Sequence, residues 1–489
     1  MKSLLKFGTI AAGLAISSLP THASPTPPDH AGQNSLIILF SFDTLRSDHL
    51  SCYGYERKTS PFIDEMARDS VLFKNPISQS PLTAPAHISI FTSLTPAVHM
   101  VNNPNDADAD LFNILPEGVP TLGTVFKENG YMTVGMHGGG CVSSDFGFDR
   151  GFDYYSGDFF FNFQTPFYRP ERELKSIRKW LKKSKDKGRP LFLFLHHFIC
   201  HHPYIQAPPE FELRFLKKPV PTLPVDRSGL LKNKDPGWGI WDENSIWRDV
   251  DLNLPDHKNH IVSLYDGSIA YADQVFRDLL NILKEEGLYD NALIILTADH
   301  GEEFNEHGGK MHGRLFIEQL HVPLMVKFPG GQYAGKEISH PVRTMDILPT
   351  LCDYLTIPPP PKIQGTSLLP LLNGKGEYNP VISSYALTYR GPHTGDMNIS
   401  ERVVKGNWAY SNLEWNGQTE WLFNIVRDPS EKSNLAASEI NILKDMRAEA
   451  DLLRQQNREA RKTLTPGNES KAPLNERLKK QLKALGYIQ

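Results

Sequence analysis

The stretch Leu36-Ile37-Ile38-Leu39-Phe40-Ser41-Phe42-Asp43-Thr44-Leu45-Arg46 decides how the chain is read. Its apolar run has no polar face, so it reads as a strand buried on both sides, the kind that fills the middle of a parallel sheet. Asp43 follows directly, at the strand end where open α/β sheets place their chemistry. A second run of the same design, Ala292–Ala298, ends on Asp299-His300-Gly301-Glu302. Leu191–Phe198 and Val322–Phe328 supply two further strands, while Ser60–Asp69, Ala86–Thr92, Glu171–Lys187 and Ser268–Glu286 read as helices. Their alternation predicts an α/β fold, a large mostly parallel sheet sandwiched by helices. The charge run of Glu171–Lys187 is a solvated face, because Leu174, Ile177, Trp180 and Leu181 share the opposite side.

Outward from these elements the composition changes three times. Residues 205–262 are rich in Pro, Asp, Trp and Lys and lack periodicity, which predicts an insertion beside the site. Pro358 to Pro361 close the last helix-like segment of the large domain. Past residue 380, the runs Val381–Ala386, Arg402–Tyr410 and Glu420–Val426 predict a small antiparallel C-terminal subdomain, followed from Glu439 by a charged helical tail broken at Thr465-Pro466-Gly467. The expected domains are therefore 31–375, 380–436 and 437–489.

At the other end, Lys2 and Lys6, the apolar Phe7–Leu19 and the small-residue site Thr21-His22-Ala23 read as a signal peptide over 1–23. That run is shorter than the roughly 20 residues a membrane span requires, and no other segment is long and apolar enough, so no integral membrane segment is expected. The mature chain is expected to be periplasmic or secreted. A formal net charge of −4 argues against nucleic acid as a partner. Cys52, Cys141, Cys200 and Cys352 lack metal-binding spacing; they could pair, but free buried thiols are the simpler reading in a chain of 489 residues.

The chemistry-bearing residues converge on one site type. A carboxylate at Asp43 is a hard oxygen ligand for a divalent cation, and Asp299-His300 adds a second carboxylate and an imidazole at a second strand end. Thr83, in Thr83-Ala84-Pro85-Ala86-His87, stands just ahead of a helix start, with Pro85 in the first turn. A hydroxyl there meets the positive helix end and could cap the helix, or act as a nucleophile if a metal activates it.

At this point the chain resembles the sulfatase family of the alkaline phosphatase superfamily. The resemblance rests on an ordered series: Asp43 to Leu50 with Tyr53-Gly54-Tyr55, Thr83 to His87 with Ile90-Phe91-Thr92-Ser93, Phe146 to Asp153, and His201-His202-Pro203-Tyr204. It continues through Tyr271-Ala272-Asp273, Asp299 to Glu302, His307-Gly308, His312-Gly313, Val322-Pro323-Leu324, Asp346 to Thr350 and Asp428 to Glu431. It implies one divalent metal ion (Ca²⁺, Mn²⁺ or Zn²⁺) held by Asp43, Thr83, Asp299 and His300. By the same resemblance His201 and His312 bind the transferring oxygens or protonate the leaving alcohol, with His87 and Lys310 as further catalytic candidates. His196 is expected just behind the site, His137 in a tight loop or at the site edge, and His197, His202 and His321 in structural positions.

Three departures bear on mechanism. The family places Cys or Ser, matured to formylglycine, where this chain has Thr83, and Arg where it has His87; a second Asp usually stands at Thr44. Threonine cannot become formylglycine, so its ester must be hydrolysed at the central atom. The expected function is an exported metal-dependent hydrolase of sulfate or phosphate esters acting through Thr83 on an anionic small molecule, glycan or lipid. The alternatives are a phosphoryl or phosphonate ester hydrolase or transferase on the same frame, or an inactive anionic-glycan-binding protein.

Overall fold

The computed structural model describes residues 36–103, 111–157, 168–225, 247, 249–374, 378, 380–389, 397–464 and 470–484. The expected signal peptide and the Thr465-Pro466-Gly467 turn lie outside them.

The main sheet has eight strands: β1 (Leu36–Phe42), β2 (Val71–Phe73), β3 (Met132–Met136), β4 (Tyr154–Ser156), β5 (Leu191–His197), β6 (Leu293–Ala298), β7 (Leu324–Lys327) and β8 (Glu337–Ile338). Their order is β8-β2-β7-β6-β1-β5-β3-β4. Only β7 runs against its neighbours; β1 pairs in parallel with both β5 and β6. The unbroken apolar run of β1 is explained by its central place. Leu36, Ile38, Phe40 and Phe42 enter the core on one sheet face, and Ile37 and Leu39 enter the core on the other. Leu193 and Phe194 of β5 divide in the same way.

Helices cover both faces. On the first lie α1 (Pro61–Arg68), α4 (Glu171–Lys187) and α5 (Pro255–Glu285); on the second lie α2 (Thr83–Thr92), α3 (Leu122–Glu128) and α6 (Ile347–Tyr354). Helix α4 keeps the predicted bounds and buries Ile177, Trp180 and Leu181. Helix α5 starts thirteen residues before the expected Ser268. Its first half buries polar Ser263, Asp266 and Ser268, which masks the apolar stripe. Asp266 accepts hydrogen bonds from Tyr55 (2.7 Å) and Arg57 (2.8 Å) and sits 2.7 Å from His49 Nδ1.

The C-terminal sheet is antiparallel, in the order β9 (Ile382–Tyr389), β10 (Met397–Lys405), β11 (Trp408–Ser411), β12 (Trp421–Asn424). The expected single strand Arg402–Tyr410 is a hairpin. Lys405 pairs with Trp408 across Gly406-Asn407, and Gly406 takes φ +58°, which suits such a two-residue turn. Helix α7 (Ile440–Leu464) covers this sheet, packing Leu443, Met446 and Ala450 against Val403, Tyr410 and Leu422. All four cysteines are free thiols.

Candidate active site

The parallel register of β5, β1 and β6 sets Ser41 level with both His196 and Thr297, so the residues just beyond them meet at one sheet edge. Asp43 leaves β1 with its N–H bonded to the His197 carbonyl (2.8 Å), and Asp299-His300 leaves β6 beside it. Thr44 takes φ +56°, an uncommon conformation for a β-branched residue and one concentrated at functional sites. That turn aims its N–H at Asp299 Oδ1 (3.2 Å), which also accepts from the His300 N–H (2.8 Å). Both carboxylates are fully buried, and Asp43 Oδ1 and Asp299 Oδ2 have no hydrogen-bond partner.

Thr83 is the first residue of α2 rather than the residue ahead of it, and Leu82 is the cap position, with no side-chain cap. The threonine hydroxyl therefore does not cap the helix. It lies 3.3 Å from Asp43 Oδ2 and 3.3 Å from His300 Nε2. His300 Nδ1 faces the Gly301 carbonyl (2.9 Å), which can only accept, so the proton sits on Nδ1 and the Nε2 lone pair faces the cluster. Nε2 is 3.5 Å from Asp299 Oδ2 and 3.9 Å from Asp43 Oδ1. Burial, then the neighbouring Asp299, hold the Asp43 carboxyl well above its usual range, and burial also raises Asp299. Two buried acids with unpartnered oxygens beside an imidazole lone pair are a donor set suited to a cation. Asp43, Asp299 and His300 fit a divalent cation, with Thr83 Oγ1 in reach of the same point.

A second group of imidazoles lines the substrate side. His312 stacks near His300 (4.4 Å) and His201 (5.3 Å), and His202 lies 4.2 Å from His201, all as ring-centroid distances. His201 Nδ1 donates to the His202 carbonyl (2.9 Å), and His312 Nδ1 is held by Glu302 Oε1 (3.0 Å). Burial lowers His312 and His300 to about 4 each, and lowers His201 well below its ordinary value. These rings are neutral in the metal-free protein near pH 7. Glu302, pushed up to about 8 by burial, also accepts from Tyr204 (2.9 Å), so its contact with His312 is a neutral hydrogen bond.

Of these histidines, His202 and His312 line a cleft of about 660 Å³ that includes Leu82, Lys310, Arg314 and Trp415 on its wall. Lys310 lies at the mouth, its ammonium 5.3 Å from the Trp247 ring. Val250 to Asn253 also line the cleft, so part of the aperiodic 205–262 stretch borders the site. His87 is inside rather than at the mouth, fully buried, between Thr83 O (3.0 Å) and Ser41 Oγ (2.9 Å).

His196, expected just behind the site, has its Nε2 3.5 Å from Asp43 Oδ2, at the strand position level with Ser41. Two residues take places that sequence reasoning did not assign. His202 lines the cleft with neither ring nitrogen bonded, and Glu302 orients His312. His197 is structural, as expected: it meets Glu173 (3.1 Å) and stacks on Phe40. His321 is structural too, bonded to the Lys74 carbonyl (2.8 Å). His137 belongs to a tight loop, accepting from the Gly139 N–H (2.9 Å) and stacking on Tyr155.

Comparison with known proteins agrees with this geometry. Residues 35–357 match the sulfatase family model, and residues 306–457 match the C-terminal model of N-sulphoglucosamine sulphohydrolase. The chain is 26% identical over 458 residues to the Δ4,5-hexuronate-2-O-sulfatase of Bacteroides thetaiotaomicron, covering 87% of each chain. It is 24% identical over 499 residues to the N-acetylglucosamine-6-O-sulfatase of the same organism, again covering 87% of each. Its fold matches the phosphonate monoester hydrolase of Agrobacterium radiobacter with a TM-score of 0.62 at 20% identity, over 87% of this chain and 96% of that one. The chain belongs to the sulfatase family and so to the hydrolases of sulfuric and phosphoric esters.

Proposed function

We propose that the protein is an exported, metal-dependent hydrolase of anionic monoesters that uses Thr83 as its nucleophile and prefers phosphorus esters to sulfate. The observation that carries this reading is the placement of Thr83 Oγ1 at 3.3 Å from both Asp43 and His300, inside the ligand cluster, where it does not cap the helix. Sulfated hexuronate and N-acetylglucosamine are the substrates named for two relatives. They support a carbohydrate as the leaving group here.

A divalent cation at Asp43, Asp299 and His300 would supply charge that acidifies the Thr83 hydroxyl and offsets the ester's negative oxygens. The Thr83 hydroxyl gives its proton to Asp43 Oδ2, to which it already donates; its oxygen forms a bond to phosphorus or sulfur, and the bond to the leaving alcohol oxygen breaks. His201 and His312 face that oxygen; one of them delivers the proton the alkoxide needs. Burial makes a neutral ring the resting state, so the proton is acquired when the anionic ester enters and offsets the cost of charging an imidazole. Glu302 holds His312 in one tautomer with Nε2 toward the cleft. Water then attacks the central atom of the threonyl ester, releasing inorganic phosphate or sulfate and restoring the hydroxyl. Phosphorus tolerates that second displacement better than sulfur, which is why sulfatases rely on an aldehyde hydrate.

The test compares nitrophenyl sulfate, phosphate monoester, phosphodiester and phosphonate with Ca²⁺, Mn²⁺ and Zn²⁺, using Thr83→Ala as the control. The expected result is phosphorus-ester turnover that requires both metal and Thr83. Turnover that survives Thr83→Ala would refute the nucleophile assignment, and dominant sulfate release would refute the phosphorus preference.

A further inference from the structure

We propose that His87, His196 and Asp299 form a second cation site, adjoining the Asp43–Asp299–His300 cluster and sharing Asp299 with it, suited to a zinc-class divalent ion. The inference goes beyond the ester-hydrolase reading, because it concerns what the protein binds whether or not Thr83 turns over.

His196 is the starting point. Its ring is 2% exposed, and neither nitrogen has a hydrogen-bond partner. Its neighbour on β5, His197, meets a carboxylate on the other face of the sheet, so the strand end is not short of partners in general. His196 instead faces acids and a second imidazole. Nε2 stands 3.5 Å from Asp43 Oδ2, and His87 Nδ1 stands 3.5 Å from Asp299 Oδ2. One ligand atom from each of His87, His196 and Asp299 lies within 4.8 Å of the others, and all three residues are buried.

The 3.5 Å between His87 Nδ1 and Asp299 Oδ2 is long for a hydrogen bond but suits coordination. Zinc bonds of about 2.0–2.2 Å put tetrahedral ligand atoms roughly 3.3–3.6 Å apart. The His87 and His196 rings are nearly perpendicular, at 83°, with centroids 4.7 Å apart, so each can turn one nitrogen toward a shared point. Ser41 Oγ, 2.9 Å from His87 Nε2, can accept that nitrogen's proton and leave Nδ1 unprotonated. Ligation then requires Nδ1 to exchange its 3.0 Å contact with the Thr83 carbonyl for the ion.

The donor set points to the chemical class. Two imidazoles and one carboxylate suit zinc or iron(II) over calcium or magnesium. The charge balance points the same way. Where the family resemblance expects an arginine, this chain has a buried imidazole, so the Asp43–Asp299 pair lacks a fixed positive partner on that side. An ion at His87 and His196 would supply it. Two cations sharing a carboxylate would sit about 3.5–4 Å apart, the spacing of two-metal hydrolytic sites.

The experiment loads the full chain with Zn²⁺, counts metal per chain by native mass spectrometry, and maps it by anomalous scattering at the zinc edge. The expected result is two zinc ions in the wild type and one in His196→Leu. The His196 site should show an anomalous peak about 2.0–2.1 Å from Nε2. His300→Ala should lose the other ion and keep this one. Two ions retained in His196→Leu, or a peak only at Asp43–Asp299–His300, would overturn the second site. Should His196→Leu fail to fold, the wild-type anomalous map decides alone. A peak at His196 with none at His300 would instead overturn the first site's role in the proposed function and leave this inference standing.

Discussion

Asp346 and Asp299 are equally buried, yet only one is fully answered from within the protein. Asp346 receives two guanidinium hydrogen bonds from Arg343 (3.0 and 2.7 Å), the Thr366 N–H (2.8 Å) and the Tyr378 hydroxyl. Among the described residues, Asp299 and Asp43 have no guanidinium or ammonium beside them, and each keeps an oxygen with no hydrogen bond. A buried charge is stable only when paired, and removing its partner is costly. The first centre is complete structure. The second offers buried donor atoms without partners, the arrangement a cation site requires, even though both read in sequence as an Asp near an element end.

The sharpest way to break this comparison is Thr83→Ala. The hydroxyl makes no helix cap, so the fold should persist by circular dichroism while kcat/KM falls at least about 10³-fold. A loss below tenfold would move the nucleophile elsewhere. Paired substitutions come next. Arg343→Ala should lower unfolding stability by about 3–5 kcal/mol without changing metal content. Asp299→Asn should abolish metal binding and leave metal-free stability unchanged or higher, because it relieves an acid whose charged form burial disfavours. Denaturant midpoints in chelator, with metal analysis, check both; destabilisation by Asp299→Asn would end the contrast.

A smaller effect is expected at Glu302→Ala, which frees His312. Activity should drop about 10- to 100-fold, the range for losing an orienting partner, with more of the loss in kcat than in KM. The smallest concerns His307. Burial alone pushes this ring down, but the Glu318 carboxylate (2.9 Å) and the Glu431 carbonyl hold it above its ordinary value. Its stabilising share is therefore fully present below pH ~6.5 and is lost as pH rises through the raised value. His307→Gln should flatten that decline by under about 1 kcal/mol, since the site is partly solvated. An unchanged pH dependence would remove His307 from that role.

How much was legible follows from what each signal depends on. The central strands were readable because burial on both faces removes every polar residue from the run, leaving β1, β5 and β6 plain. Asp43, Asp299 and His300 followed, since a strand end is one step from its strand. The start of α5 was hidden because its buried face is polar. The β10–β11 hairpin was hidden because a two-residue turn at Gly406-Asn407 barely interrupts the β-rich run. His202 was missed for a different reason: it is identical in type to its neighbour His201. Which face a histidine takes depends on strand register and on the turn that follows, and neither is written in composition.

The hydrogen bond from Thr44 N to Asp299 Oδ1 joins positions 255 residues apart in the chain. Contacts of that separation form late, because the loop-closure cost comes before any reward. Capture of a cation by the Asp43–Asp299–His300 cluster would thus report on completed topology. A chain halted before β6, or one whose central strands pair in the wrong order, would hold one half of the cluster without the other. Cation uptake followed during refolding could therefore time the closure of the sheet itself.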